Sequence, residues 1–255
     1  MSIADRARAR PIPGPAAAGS RRWLVVAGLV PVLMAVGCGR AVQPGPGPAA
    51  EDMRKSVAVQ VAAVREGGSS RIVAAEPLAD AEWESLRGLA GLTELVLERG
   101  RADDERAEIL ATLPAVERLV LRESPLTDAG FTRLAECRAL RDVNVPQAAC
   151  TAAGLAALVR LEKLKSLRLG GPRLDGPEVA EAIADMSGLR SLHLIDVRIG
   201  DDGLAALQRL PGLWNLYLDG AGVSDEAWAV YFRACPDVHV HVDQAHHDRD
   251  PRRHD

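Results

Sequence analysis

The sequence predicts an α/β solenoid, each unit a short strand, a turn and a helix with one buried face. Two observations carry this. Apolar pairs separated by one residue recur at Leu95/Leu97, Leu119/Leu121, Val143/Val145, Leu167/Leu169, Leu192/Leu194, Leu216/Leu218 and Val240/Val242, at intervals of 24, 24, 24, 25, 24 and 24. Each unit then keeps a second register, Trp83, Ala107, Phe131, Leu155, Val179, Leu204 and Trp228, followed three residues later in most units by a Leu or Tyr. Alternation marks a strand and a spacing of three marks one face of a helix. Neither half can bury its apolar face alone, so neighbouring units must stack.

Composition agrees. The 255 residues are 47% hydrophobic but only 3% aromatic, so the core is aliphatic. Residues 1–37 carry five Arg and one Asp, a net +4 against −4 for the whole chain, which leaves −8 beyond them. An acidic body argues against nucleic-acid binding, where Lys and Arg neutralise phosphates.

In chain order, residues 1–37 read as a secretory signal: five Arg, an apolar run from Trp23 to Gly37, then small residues before Cys38. The run is shorter than the roughly 20 residues of a comfortable membrane span. Ala35-Val36-Gly37-Cys38 resembles the lipobox of bacterial lipoproteins, though Ala35 stands where that family prefers Leu. The resemblance implies lipidation of Cys38 and an exported protein anchored in the cell envelope by its N-terminal lipid. Gly39 is not the aspartate that retains some lipoproteins, which points to the outer membrane or its periplasmic face. Ser20 to Leu24 also resembles a twin-arginine export signal. Residues 38–50, with Pro44, Pro46 and Pro48 among glycines, read as a spacer. Residues 51–75 read as an N-terminal cap: a helix with Met53, Val57, Val61 and Val64 at helical spacing, then a divergent first strand at Arg71-Ile72-Val73. The solenoid occupies 76–243, closed by Trp228, Tyr231 and Phe232. The polar, His-rich residues 244–255 read as a disordered tail.

The phrase LxxLxL, followed by Leu126-Thr127-Asp128-Ala129-Gly130-Phe131, resembles the leucine-rich-repeat family over about residues 70–243. The 24-residue period is similar to its ribonuclease-inhibitor-like and cysteine-containing subclasses, which implies short parallel strands on the concave face and helices on the convex face. The resemblance implies a scaffold or adaptor that binds a protein, without naming the partner. The Asn or Cys ladder that many members carry after the strand has no consistent counterpart in Arg99-Gly100, Ser124-Pro125, Gly171-Pro172 or Gly220-Ala221, so the turns are expected to rest on Gly and Pro geometry. An extra residue near Gly176-Pro177 is expected to sit in a convex turn.

No nucleophile elbow, phosphate loop, zinc-protease or dinucleotide signature occurs, so neither an enzyme nor a cofactor is expected. The cysteines Cys137, Cys150 and Cys235 show no metal spacing and read as small buried apolar residues. Alternation places Val96, Val120, Asn144, Arg168, His193, Tyr217 and His241 in the middle row of the concave face. Trp214 stands where other units have Thr93, Glu117, Arg141, Lys165 and Arg190. It reads either as an interface anchor or as packing at the capped end. The partner-binding candidates are Arg168, Arg190, His193, Trp214 and Tyr217, residue types common in hot spots. A strip three residues wide is smaller than the roughly 800 Å² per side of a stable interface, so a tight partner must also use rim loops. The protein is expected to be a monomer.

Five of six histidines fall in the last 17 residues. Of these, His239, His241, His246 and His247 could hold zinc, nickel or copper. The competing reading is a solvated tract that meets metal only adventitiously. The alternative function is therefore a structural or metal-handling envelope protein acting through this tail.

Overall fold

The computed structural model describes residue 52, residues 55–247 and residues 249–250. The signal, Cys38 and the spacer lie outside the described residues. A single sheet runs β1 (Arg71–Ala74), β2 (Glu94–Leu97), β3 (Arg118–Leu121), β4 (Asp142–Val145), β5 (Ser166–Gly170), β6 (Ser191–Ile195), β7 (Asn215–Leu218), β8 (His239–Val242) and β9 (Ala245–His246), in that spatial order. The first eight strands are parallel and strictly in register, so that Leu95 faces Leu119, then Val143, Leu167, Leu192, Leu216 and Val240. All of these side chains are buried in one continuous aliphatic core.

The connecting helices are α1 (Val57–Arg65), α2 (Asp80–Leu86), α3 (Asp104–Ala111), α4 (Asp128–Leu134), α5 (Ala152–Ala156, continued as a 3₁₀ turn Ala157–Arg160), α6 (Pro177–Ala184), α7 (Gly200–Leu207) and α8 (Asp225–Ala234). Their second-register residues, from Trp83 to Trp228, close the core from the convex side. The extra residue of the fourth unit is absorbed where expected: Gly176, with a φ of +85°, turns the chain into Pro177 at the first position of α6. Among the described residues no helix is long and apolar enough to cross a membrane.

A side-chain ladder recurs at three of the helix starts, a different place from the turns after the strands. The Asp104 carboxylate accepts from the backbone N–H of Thr127 (2.9 Å) and of Gly130 (3.0 Å). Asp128 accepts from the backbone N–H (2.6 Å) and hydroxyl (2.8 Å) of Thr151, and Asp201 from the N–H and hydroxyl of Ser224, both at 2.7 Å. Thr127, Thr151 and Ser224 each accept from a backbone N–H of their own helix. These three helix starts are thus capped twice, once by their own residue and once by the unit before.

Both sheet edges are closed by polar side chains. At the first edge, Gln60 of α1 is buried, its Oε1 accepting from Val73 N (2.8 Å) and its Nε2 donating to Val73 O (2.9 Å), so one amide replaces a neighbouring strand. At the other edge the reading of residues 244–255 as a disordered tail is corrected as far as Asp250. Asp243 and Gln244, with φ of +50° and +65°, reverse the chain in two residues, and β9 pairs antiparallel with β8. Asp250 then returns to accept from Val240 N at 2.9 Å. The exposed edge of β8 provides the unpaired backbone groups that drive this ordering. The three cysteines 137, 150 and 235 are free. Burial pushes the Cys137 and Cys150 thiols up to about 12.

Candidate functional site

The concave middle row is register-aligned from Val73 through Val96, Val120, Asn144, Arg168, His193 and Tyr217 to His241. It has two distinct parts. Over β1–β3 the three valines form an apolar cluster separate from the core, and all are buried, Val96 at 8% exposure. Charged side rows flank them: Glu94 bridges Arg71 and Arg118 at 3.1 Å each, and Arg122 pairs with Glu98 at 2.8 Å. The acidic and basic residues on this end therefore neutralise one another.

From β4 onward the row is polar and half-buried. Asn144 Oδ1 and Arg168 Nε are buried atoms with no hydrogen-bond partner, and the two residues are register neighbours. His193 Nε2 lies 2.9 Å from Asp219 Oδ2. Tyr217 sits between two imidazoles, with ring centroids 5.4 Å from His193 and 4.7 Å from His241, the latter stacked.

The row ends in a cluster of imidazoles. His239 and His241 project from the same side of β8, and β9 brings His246 opposite His241. The Nε2 atoms of His239 and His241 are 2.9 Å apart, and one ring nitrogen from each of the three histidines fits within 4.8 Å of the others. Behind His239, Asp250 Oδ2 lies 2.7 Å from Nδ1, off-line for a straight hydrogen bond, and the carboxylate side chain is 0% exposed. Burial holds the His241 imidazole below its usual 6.5, and the neighbouring His246 and His239 add to this while Asp250 opposes it. These donors suit a borderline transition metal rather than a hard cation.

The structure divides the five partner-binding candidates into two groups. Arg168, His193 and Tyr217 are side by side on β5, β6 and β7. Arg190 and Trp214 instead stand just before β6 and β7, on the rim at the strand starts, where Trp214 N donates to Arg190 O at 2.8 Å. Trp214 is 57% exposed. The Arg190 guanidinium lies over Gly212, where any Cβ would overlap it. Of the four histidines considered as metal ligands, His247 stands apart. It packs against Trp228 and Phe232, with ring centroids 4.8 and 5.0 Å away, and so belongs to the terminal cap. Asn144, in β4, and Asp219, just after β7, were missing from the candidates because single polar residues at such positions carry no signal of their own. Asp250 was missed because nothing local reports its return to Val240.

Among the described residues the depressions are shallow and open, and run along the turns, as between Ile199–Asp202 and Gly222–Ser224. No nucleophile, base and oxyanion donors converge in them. Fold and face together define an α/β solenoid of the leucine-rich-repeat type, with a partly polar concave surface. No family model matches the chain, and no curated protein matches it. Solved structures similar to it include the leucine-rich-repeat ectodomain of the Arabidopsis receptor kinase HAESA, bound to an N-terminally extended IDA peptide hormone. That chain shares 13% identity at a TM-score of 0.39, over 60% of this chain and 32% of that one. Another is an internalin from Listeria monocytogenes, with 16% identity and a TM-score of 0.42, over 73% of this chain and 64% of that one. The protein thus spans less than two thirds of the length of either.

Proposed function

We propose that this protein is a non-catalytic, envelope-anchored scaffold that binds a protein partner on the β4–β7 half of its concave face. One observation carries the reading. The middle row changes from buried, mutually screened valines to half-buried Asn144, Arg168, His193 and Tyr217, and two polar atoms there lack hydrogen-bond partners. Such atoms cost about 1–3 kcal/mol each when left unpaired, so a partner that turns these half-buried side chains toward it, offering an acceptor to Arg168 and a donor to Asn144, gains directional bonds. Tyr217 supplies a rigid aromatic surface beside them, and Trp214 and Arg190 extend it onto the rim. Eight parallel strands span about 34 Å at 4.8 Å spacing, so rim residues are needed to reach a stable contact area.

The anchor rests on the lipobox-like Ala35-Val36-Gly37-Cys38 and the Pro-Gly spacer, which would hold the solenoid away from a membrane surface. The partner assay is cross-linking capture from envelope extracts with the full chain and with a Trp214→Ala, Tyr217→Ala double variant. A species captured by the parent and lost with the variant is the expected result; capture of the same species by both moves the site elsewhere. In the same cells Cys38→Ala should shift the protein from the membrane fraction to the soluble one. Retention in the membrane fraction removes the lipid anchor from the account.

A further inference from the structure

We propose that His239, His241 and His246 hold one divalent transition-metal ion, Zn²⁺ or a similar borderline cation, through three imidazole nitrogens, with Asp250 orienting His239 from behind. The proposal is independent of the partner-binding reading, because it concerns the terminal hairpin rather than the β4–β7 face.

Geometry comes first. The three ring nitrogens already lie within 4.8 Å of one another, and the His239 and His241 Nε2 atoms are 2.9 Å apart. Zinc–nitrogen bonds of about 2.0–2.1 Å at tetrahedral angles set neighbouring donors about 3.3 Å apart. Small ring rotations therefore convert the present arrangement into a three-coordinate face. The backbone beneath is fixed: two ligands alternate on β8, and the third is held opposite by antiparallel pairing.

The second observation is the carboxylate. Metal-bound histidines ordinarily present their other ring nitrogen to a carboxylate or carbonyl, which fixes the tautomer and makes the ligating nitrogen more basic. The Asp250 carboxylate stands beside that nitrogen, its Oδ2 2.7 Å from His239 Nδ1 but off-line for a straight hydrogen bond until the ring turns, fully buried and anchored by Val240 N. His239 Nε2 is thereby left to face the cluster. A third observation is that His246 Nδ1 is buried without a hydrogen-bond partner. A solvated histidine tract would show neither the buried carboxylate nor the convergence.

The donor set defines the ligand class. Neutral imidazoles favour Zn²⁺, Cu²⁺ and Ni²⁺, whereas Ca²⁺ and Mg²⁺ demand oxygen. Three protein ligands leave a fourth position for water or a side chain of another molecule. Because the ion would join β8 to β9, binding is linked to closure of the sheet edge and must raise stability.

The test is isothermal titration of the untagged full chain with ZnCl₂ at pH 7.5, together with thermal unfolding. The expected result is one Zn²⁺ per chain, a raised melting temperature and no effect of CaCl₂. His246→Gln should weaken binding at least tenfold, and Asp250→Asn by about 10- to 100-fold. His247→Gln and His254→Gln should leave it unchanged. Far-UV circular dichroism without metal establishes that each variant is folded. If His246→Gln fails to fold, the tetrahedral absorption bands of Co²⁺ bound to the parent, and their loss in His241→Gln, give the same reading. Absence of saturable Zn²⁺ binding overturns the proposal. So does binding that survives both His241→Gln and His246→Gln, or that disappears with His254→Gln instead.

Discussion

The Asp128 carboxylate caps the helix start of the next unit by accepting both the backbone N–H and the hydroxyl of Thr151, at 2.6 and 2.8 Å. The contact links consecutive units on the convex side just as strand register links them on the concave side. Asp128→Ala and Thr151→Ala should each lower stability by about 1 kcal/mol in urea unfolding, and the double variant should lose less than the sum, because the two share one interaction. The Asp128 carboxyl is held below its ordinary 3.8, chiefly by the Thr151 backbone N–H. The folded state therefore binds fewer protons, so the stabilisation is complete above pH 3.8 and fades as pH falls below it. Asp128→Asn should flatten that acid limb; an unchanged limb contradicts the role.

Gly154 sits against this same contact. A Cβ there would lie 2.5 Å from Asp128 Oδ1 and 2.8 Å from its Cα. Replacing glycine by alanine in a helix ordinarily stabilises by about 1 kcal/mol. Gly154→Ala should instead destabilise, by about 1–3 kcal/mol, since the backbone cannot withdraw. A rise in melting temperature would show that the units are free to separate.

Gln60 should matter more than its place in a terminal helix suggests. Gln60→Leu strands both backbone groups of Val73 at the sheet edge, and a loss of about 2 kcal/mol is expected. Light scattering should also show faster aggregation, since an unprotected edge strand pairs readily with another chain.

The hairpin after β8 carries a removable strain. Gln244 holds φ at +65°, in the left-handed region. Gln244→Gly should raise stability by about 1 kcal/mol, read as a higher melting temperature, with no change in the circular dichroism spectrum. A lower melting temperature would mean that the Gln244 side chain makes a contact worth more than the strain.

That same turn shows where the sequence stops being legible. The repeat was readable from residue 70 to 243 because a 24-residue period in Leu and Val directly encodes which side chains face the shared core. The hairpin was not, since Val242-Asp243-Gln244-Ala245 lacks the Asn-Gly or Gly pair that ordinarily announces a two-residue turn. Without the turn, His246 has no reason to meet His239 and His241, and Asp250 none to meet Val240. The ladder was visible as Thr127-Asp128-Ala129-Gly130 but was sought after the strand, where Arg99, Ser124 and Gly171 offer nothing regular. On the face, alternation located Arg168, His193 and Tyr217 correctly. It could not show that Val96 and Val120 would be buried between ion pairs, because that depends on how long side chains from adjacent strands lie across them.

The central claim is that a protein partner meets the β4–β7 part of the concave row. Its most direct test is a photo-crosslinking amino acid placed in turn at His193 and at Val230, an exposed position on convex helix α8, in cells expressing the full chain. The account predicts one discrete adduct from position 193 and none from position 230. An adduct from position 230 alone would place the binding surface on the convex side and contradict the account; so would the absence of an adduct from position 193.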